Sequence, residues 1–93
     1  IERILARHPA VLESAVVGRR DERWGEVPVA FVVVRPGAAA TATELIDFVR
    51  SHTARFKAPK DVFFEDLPKT STGKIEKHRL RDRLAARAGQ EVS

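Results

Sequence analysis

The first apolar positions of the chain recur at helical spacing. Ile1, Ile4 and Leu5 predict a short helix, which Pro9 ends because proline excludes the residue before it from the helical region. The segment from Val11 to Val17 is apolar and partly β-branched, so it predicts a first strand. A helix followed at once by a strand indicates a mixed fold.

The strongest strand pattern lies one loop further on. Gly18 to Gly25 is polar and bounded by glycines, which predicts a loop. Val27 to Val34 is almost continuously apolar, which predicts a strand buried on both faces. We therefore expect the first two strands to form an antiparallel pair.

A second helix and a third strand follow. Pro36-Gly37 predicts a turn, and Thr43 is the expected N-cap of a helix that extends to about Thr53. The apolar face of this helix consists of Leu45, Ile46, Phe48 and Val49. Val62 to Phe64 predicts a short third strand.

The last predicted helix is strongly basic on its outer face. Its apolar face is Ile75, Leu80 and Leu84, and residues 89–93 are expected to fray. The outer face carries Lys77, Arg79, Arg81, Arg83 and Arg87. The element order predicts an α+β fold over residues 1–93, in which helices pack on a small three-stranded sheet.

Composition limits the class of protein. The 93 residues suit one domain, and 43% hydrophobic residues suffice for a core. Without cysteine, neither disulfides nor thiolate metal sites hold the fold, which fits a cytoplasmic protein. There is no apolar run of the ~20 residues that cross a membrane and no signal-peptide pattern. The net charge of +4 favours anionic partners, but 13 acidic residues make it weak evidence for nucleic acid.

The stretch from Leu67 to Lys77 combines turn-forming residues with one lysine, Lys74, directly before the basic helix. It predicts a mobile turn that holds Lys74 forward, either towards an anion or simply into solvent. A phosphate-binding loop is excluded, because Pro68 stands where its first glycine belongs and Ile75 where its serine or threonine belongs.

Other catalytic sites lack their residues. The three histidines lie far apart without ligand spacing, so no metal site is expected, and no serine–histidine–acid arrangement stands out. A lone lysine can still offset charge on a reacting phosphate and carboxylate. Because no nucleotide pocket is apparent, Lys74 would need another domain to supply the substrate.

Four blocks, in order, resemble the C-terminal domain of the adenylate-forming superfamily, which includes acyl-CoA synthetases, peptide-synthetase adenylation domains and luciferases. The most specific block is Leu67-Pro68-Lys69-Thr70-Ser71-Thr72-Gly73-Lys74-Ile75. The others are His8-Pro9-Ala10-Val11, Ala15-Val16-Val17-Gly18 with Asp21-Glu22-Arg23-Trp24-Gly25-Glu26, and Phe56-Lys57-Ala58-Pro59-Lys60.

The resemblance implies a two-step reaction with ATP and coenzyme A as substrates. A carboxylic acid, by this resemblance a fatty or related acid, first forms an acyl-adenylate, and a thiol then displaces AMP. Lys74 corresponds to the lysine of the first step, with Thr72 and Gly73 in its supporting loop. The small domain rotates between the steps against a large N-terminal domain, which also holds the magnesium that accompanies ATP.

The resemblance also implies a coenzyme A surface. Trp24 would stack on the adenine, although a partly buried edge residue is an alternative interpretation. Phe56 and Lys60 correspond to positions near the nucleotide end of coenzyme A. Some relatives have a basic residue where this chain has Ala58, so Lys57 or Arg20 would have to substitute, and for both a solvated charge is the simpler interpretation.

Two other functions remain as alternatives. An adenylation domain that loads a carrier protein would share Lys74 but present its thiol-side surface to a protein. A basic nucleic-acid-binding module would show steeply salt-dependent binding. The chain starts at Ile1, after the expected hinge and ATP-binding motifs, so we expect an excised domain that is inactive alone.

Overall fold

A computed structural model of the chain describes residues 1–53 and 57–92. Its helices and strands, in chain order, are α1 (Glu2–Ala6), β1 (Val11–Asp21), β2 (Gly25–Val34), α2 (Ala42–Arg50), β3 (Asp61–Phe64) and α3 (Lys77–Val92). This order confirms the predicted α+β fold.

The three strands form one mixed sheet with β2 in the centre. β1 pairs antiparallel with β2, from Val11 opposite Val34 to Asp21 opposite Gly25, as predicted. β3 pairs parallel with β2, with Asp61 opposite Val29. A parallel neighbour requires a crossover connection, and α2 supplies it.

Each face of the sheet has its own core, because alternate residues of β2 point to opposite sides. On one side Ala30 and Val32 pack with α1, α2 and Val62 of β3. On the other side Val29 and Phe31 pack with α3 and the segment that precedes it. The predicted burial of β2 on both faces is confirmed, and the two helical layers lie on opposite sides.

The predicted loop from Gly18 to Gly25 is wrong over its first half. β1 continues to Asp21, because these polar residues pair in register with the start of β2. Across the sheet, Arg19 Nη1 lies 2.5 Å from Asp61 Oδ2, which also ties β1 to β3. Only residues 22–24 form the turn. The polar residues of this segment resemble a loop, but they form a strand because β2 pairs with them.

The predicted N-cap of α2 is also wrong. Thr41, not Thr43, caps the helix, and its Oγ1 accepts a hydrogen bond of 3.1 Å from Glu44 N. Thr41 and Glu44 have the spacing of a capping box, which the interpretation of Thr43 overlooked. The helix ends at Arg50, before the predicted Thr53.

The last helix begins later and extends further than predicted. Ile75 lies outside α3 and pairs with Lys69 as an isolated bridge, although it still packs on the core beside Leu80 and Leu84. The helix continues to Val92, so the predicted frayed tail is wrong for residues 89–92. On the basic face, Arg79 and Arg81 are exposed as expected. Arg83 and Arg87 instead bind Glu65, after β3.

Candidate functional site

Lys74 follows directly after the tip of a short hairpin, Lys69–Ile75, here called the Lys74 hairpin. Its ends pair as the Lys69–Ile75 bridge. Inside it, Thr70 N donates to Lys74 O at 2.8 Å, and Gly73 N donates to Thr70 O at 3.0 Å. Gly73 has a φ of +87°, a left-handed conformation that glycine adopts without strain. The expected turn is thus a hydrogen-bonded hairpin with Lys74 on its returning side.

Two threonine hydroxyls stabilise the tip. Thr70 Oγ1 accepts a hydrogen bond of 3.1 Å from Lys74 N and lies 2.9 Å from Thr72 Oγ1. Thr72 therefore reaches Lys74 through Thr70. The sequence singled out Thr72 and Gly73 but missed Thr70, which contacts the lysine backbone directly.

The segment leading into the hairpin is held by the core and by an ion pair. Leu67 is buried beneath α3. Lys69 Nζ pairs with the Glu13 carboxylate of β1. This contact joins the hairpin to the edge strand of the sheet.

The returning side of the hairpin is held by a second set of contacts. Ile75 is half-buried, and Glu76 N donates to Pro68 O at 2.8 Å. Lys77 Nζ lies 2.7 Å from Glu2 Oε1, which also accepts the Val16 amide at 2.8 Å. The hairpin is thus fixed on both sides of its base.

Glu2 is electrostatically favoured as a carboxylate. Partial burial alone would raise its pKa, but the hydrogen bonds from Lys77 and the Val16 amide outweigh burial and hold the pKa below the ordinary 4.5. The pair with Lys77 is therefore charged at neutral pH.

The side chain of Lys74 differs from the other lysines of this segment. It is exposed, and its ammonium makes no hydrogen bond or ion pair within residues 1–53 and 57–92. Lys69 and Lys77 are each neutralised by a glutamate. The hairpin therefore presents one uncompensated positive charge beside its tip, which is what binding of an anion from another molecule or domain requires.

A second region, here called the Trp24 groove, is a concave site of about 500 Å³. Its lining comes from the start of β2, from α2 and from the segment before β3: Trp24, Glu26, Val27, Pro28, Ile46, Arg50, Ala58, Pro59 and Lys60. The groove brings together Trp24 and Lys60, two of the three residues predicted for coenzyme A. The third, Phe56, lies outside the described residues.

Trp24 stands at the tip of the β1–β2 turn. Its side chain is 68% exposed, which favours an available ring over a partly buried edge residue. Asp21 Oδ1 accepts hydrogen bonds from the amides of Trp24 and Arg23, each at 2.9 Å, and these bonds hold the pKa of Asp21 below its usual value. The Arg23 guanidinium lies 5.1 Å from the indole centre. These contacts preorganise the turn.

The groove also contains polar groups that sequence reasoning missed. Arg50 and Lys60 supply two cations, and Glu26 supplies a carboxylate. Gly18 leaves space for Glu26, because a Cβ at Gly18 would lie 2.2 Å from Glu26 Cδ. No sequence signal marks this contact, since it arises from strand pairing. Within the described chain, neither Lys57 nor Arg20 lines the groove.

The hairpin and the groove lie on different sides of the sheet. Leu67 and Ile75 of the hairpin segment pack in the α3-side core. Ile46 and Ala58 of the groove pack against the α2-side core. No described residue belongs to both sites, so the domain has two separate candidate surfaces.

Residues 1–53 and 57–92 contain no metal-binding cluster. No three histidine or acidic side chains group there in a way that would hold a metal ion. Across the same residues, no helix has the length and apolarity to cross a bilayer.

Comparison with protein families gives the relationship. Residues 1–74, which end at Lys74, match the model of the AMP-binding enzyme C-terminal domain. The chain belongs to this family. The match covers β1, β2, the Trp24 groove and the Lys74 hairpin up to the lysine itself.

Individual relatives are CoA ligases. The chain is 51% identical over 85 residues to 2-methylpropanoate–CoA ligase of Humulus lupulus, covering 88% of this chain and 15% of the relative. It is 42% identical over 92 residues to indoleacetate–CoA ligase of Aromatoleum aromaticum, covering 98% and 18%. Among solved structures, Brucella canis acyl-CoA synthetase superposes with a TM-score of 0.87 at 37% identity, covering 94% and 17%. The chain thus spans less than one fifth of the length of these relatives.

Proposed function

We propose that this domain serves a CoA ligase that converts a carboxylic acid to its CoA thioester through an acyl-adenylate. The observation that carries the proposal is the unpaired ammonium of Lys74 beside the tip of a preorganised hairpin. The relatives' names support the reaction class. Lys74 is the catalytic residue of the first step, and Thr72 and Gly73 support it.

In the first step a carboxylate oxygen attacks the α-phosphorus of ATP. A bond forms between that oxygen and phosphorus while the bond to pyrophosphate breaks. The reaction brings the negative carboxylate close to the negative α-phosphate oxygens, and the Lys74 ammonium between them offsets their repulsion. Preorganised charge of this kind typically lowers a barrier by about 3–4 kcal/mol in a dry site. The large N-terminal domain supplies ATP and its magnesium.

In the second step the thiol of coenzyme A attacks the acyl carbonyl, and AMP leaves. The Trp24 groove binds the nucleotide end of coenzyme A, with the indole on the adenine and Lys60 on a phosphate. By the family resemblance, Phe56 also contacts the nucleotide end of coenzyme A. The volume of the groove, about 500 Å³, and the exposed Trp24 ring support this assignment.

The partner of both surfaces is the large N-terminal domain of the same enzyme. Because the Lys74 hairpin and the Trp24 groove use opposite sides of the sheet, one active site receives them in turn only if the domain rotates. The second step then proceeds with Lys74 withdrawn. Domain alternation is therefore part of the proposal.

The proposal also concerns the carboxylic acid substrate and the thiol that accepts the acyl group. The relatives named for 2-methylpropanoate and indoleacetate support a carboxylic acid in general. A fatty acid remains the prediction from the sequence, as does a cytoplasmic location. Coenzyme A is preferred to a carrier protein because these relatives are CoA ligases.

The test separates the two steps in the full-length enzyme. Lys74→Ala should reduce ATP–pyrophosphate exchange by a factor of about 100 or more, as the loss of 3–4 kcal/mol implies. Thioester formation from supplied acyl-adenylate should remain within a few-fold of the wild type. Arg81→Ala, which removes an exposed cation from α3, is the matched control. Equal losses in both half-reactions would refute the role assigned to Lys74.

A further inference from the structure

The Lys74 hairpin is linked to β1 by an ion pair whose role the proposed reaction does not explain. Lys69, at the start of the hairpin, pairs with Glu13. These residues lie 56 positions apart in the chain, and both side chains are about one third exposed. An exposed pair of this kind typically adds little to stability, so stability alone is a weak reason for it.

The contacts continue from this ion pair to the lysine itself. Lys69 is covalently followed by Thr70, whose amide donates to Lys74 O at 2.8 Å. The Thr70 hydroxyl accepts from Lys74 N at 3.1 Å. Three steps, of which one is an ion pair, one a peptide bond and one a pair of hydrogen bonds, therefore join Glu13 to the backbone of Lys74.

Other anchors of the hairpin do not duplicate this constraint. Leu67 and Ile75 hold its base by apolar contacts, which are not directional. Lys77 pairs with Glu2 on the returning side of the hairpin, beyond Ile75. Within residues 1–53 and 57–92, the Glu13–Lys69 pair is the ion pair that joins the entering side to the sheet edge.

The ion pair also neutralises the second cation of the hairpin. If the charge of Lys69 were free, it would lie within the same hairpin as Lys74 and compete for the same anion. Pairing with Glu13 removes that competition. One contact, the Glu13–Lys69 pair, thus both positions the Lys74 hairpin and neutralises the charge of Lys69.

We propose that Glu13 is a positioning residue for Lys74, acting through Lys69 in the adenylation half-reaction. This inference rests on the proposed function. Catalytic groups lose much of their effect when they are displaced by about 1 Å, so a modest ion pair can matter more for rate than for folding.

The experiment uses charge reversal in the full-length enzyme. Glu13→Lys and Lys69→Glu should each lower kcat for ATP–pyrophosphate exchange by about three- to tenfold. The KM for ATP and thioester formation from supplied acyl-adenylate should change less than twofold. The double variant Glu13→Lys/Lys69→Glu should recover at least half of the wild-type exchange rate, because the pair is rebuilt with its charges exchanged.

Glu44→Gln is the matched control, since this exposed carboxylate on α2 bonds to no described residue. It should leave both half-reactions unchanged. A double variant no better than its single parents, or equal losses in both half-reactions, would overturn the positioning role. The proposed function is tested separately by Lys74→Ala in the same assays. If Lys74→Ala loses exchange while the Glu13 and Lys69 variants do not, only the positioning role fails; if Lys74→Ala keeps full exchange, the proposed function itself fails.

Discussion

The hydroxyl of Thr70 accepts a hydrogen bond of 3.1 Å from the backbone amide of Lys74. This bond orients the peptide that carries the lysine. Thr70→Val should therefore slow ATP–pyrophosphate exchange about two- to tenfold, the usual worth of one or two hydrogen bonds. Thr70→Ser, which keeps the hydroxyl, should remain close to the wild type. Equal rates for valine and serine would show that the bond does not orient Lys74.

Gly73 and Gly37 provide a matched pair. Their φ angles are +87° and +80°, and an added Cβ would meet no atom within 4 Å at either site. Alanine at each position should therefore cost about 1 kcal/mol of unfolding free energy through backbone strain alone. Chemical denaturation measures that cost.

Activity should distinguish these two glycines. Only Gly73→Ala alters the Lys74 hairpin, so only this variant should reduce adenylation beyond what lower stability explains. A similar fall in ATP–pyrophosphate exchange for Gly37→Ala would argue against a special need for the left-handed residue beside Lys74.

Replacing Trp24 should change the KM for coenzyme A and leave the KM for ATP unchanged. Base stacking on an aromatic side chain is typically worth about 1–3 kcal/mol, so Trp24→Ala should raise the KM for coenzyme A about tenfold. The KM for ATP should stay unchanged. Leu12→Ala removes another exposed apolar side chain from β1 and is the control. An effect on ATP instead would contradict the assignment of the groove.

Gly18 and Glu26 should behave as a coupled pair. Gly18→Ala places a Cβ 2.2 Å from Glu26 Cδ, so the glutamate must move. Because a flexible side chain yields more easily than backbone, we expect destabilisation of about 1 kcal/mol and a changed KM for coenzyme A. In the Glu26→Ala background the same substitution should cost much less. Additive effects on unfolding free energy would exclude this contact.

Glu2 should make stability depend on acidic pH. Its pKa is lower in the folded chain than the ordinary 4.5, so its stabilising effect is present above that value. The effect disappears as the pH falls through the lower folded pKa. Glu2→Gln should cost up to about 1 kcal/mol at pH 7, since solvent screens the pair with Lys77.

The difference in unfolding free energy between Glu2→Gln and the wild type should become smaller as the pH is lowered below about 4.5. Denaturant unfolding at a series of pH values measures it. The control is Glu44→Gln, on α2. A gap that is constant with pH would show that the charge of Glu2 is not what stabilises the fold.

The sequence predicted the elements whose own residues determine them. The apolar run of β2 predicts a buried strand whatever strands pair with it. The turn-forming residues around Lys74 predict an exposed loop. The end of β1 was missed because Arg19 and Asp21 look like loop residues until β2 pairs with them. The N-cap was misplaced because Thr41 and Thr43 are alternative caps two residues apart.

The candidate sites followed the same rule. Lys74, Trp24 and Lys60 were identified by residue type and family resemblance. Glu13 and Thr70 were not, because their importance comes from contacts made only after folding: Glu13 reaches Lys69 across 56 positions. Arg50 lines the groove only because α2, which connects β2 to β3, folds back beside the start of β2.

Successive side chains of β2 lie in different cores, and this has an evolutionary consequence. Val29 and Phe31 support the side with the lysine, and Ala30 and Val32 support the side with the groove. Substitutions on one side can therefore accumulate without repacking the other. The two surfaces can therefore diverge independently in evolution, because each is supported by its own set of side chains from a single strand.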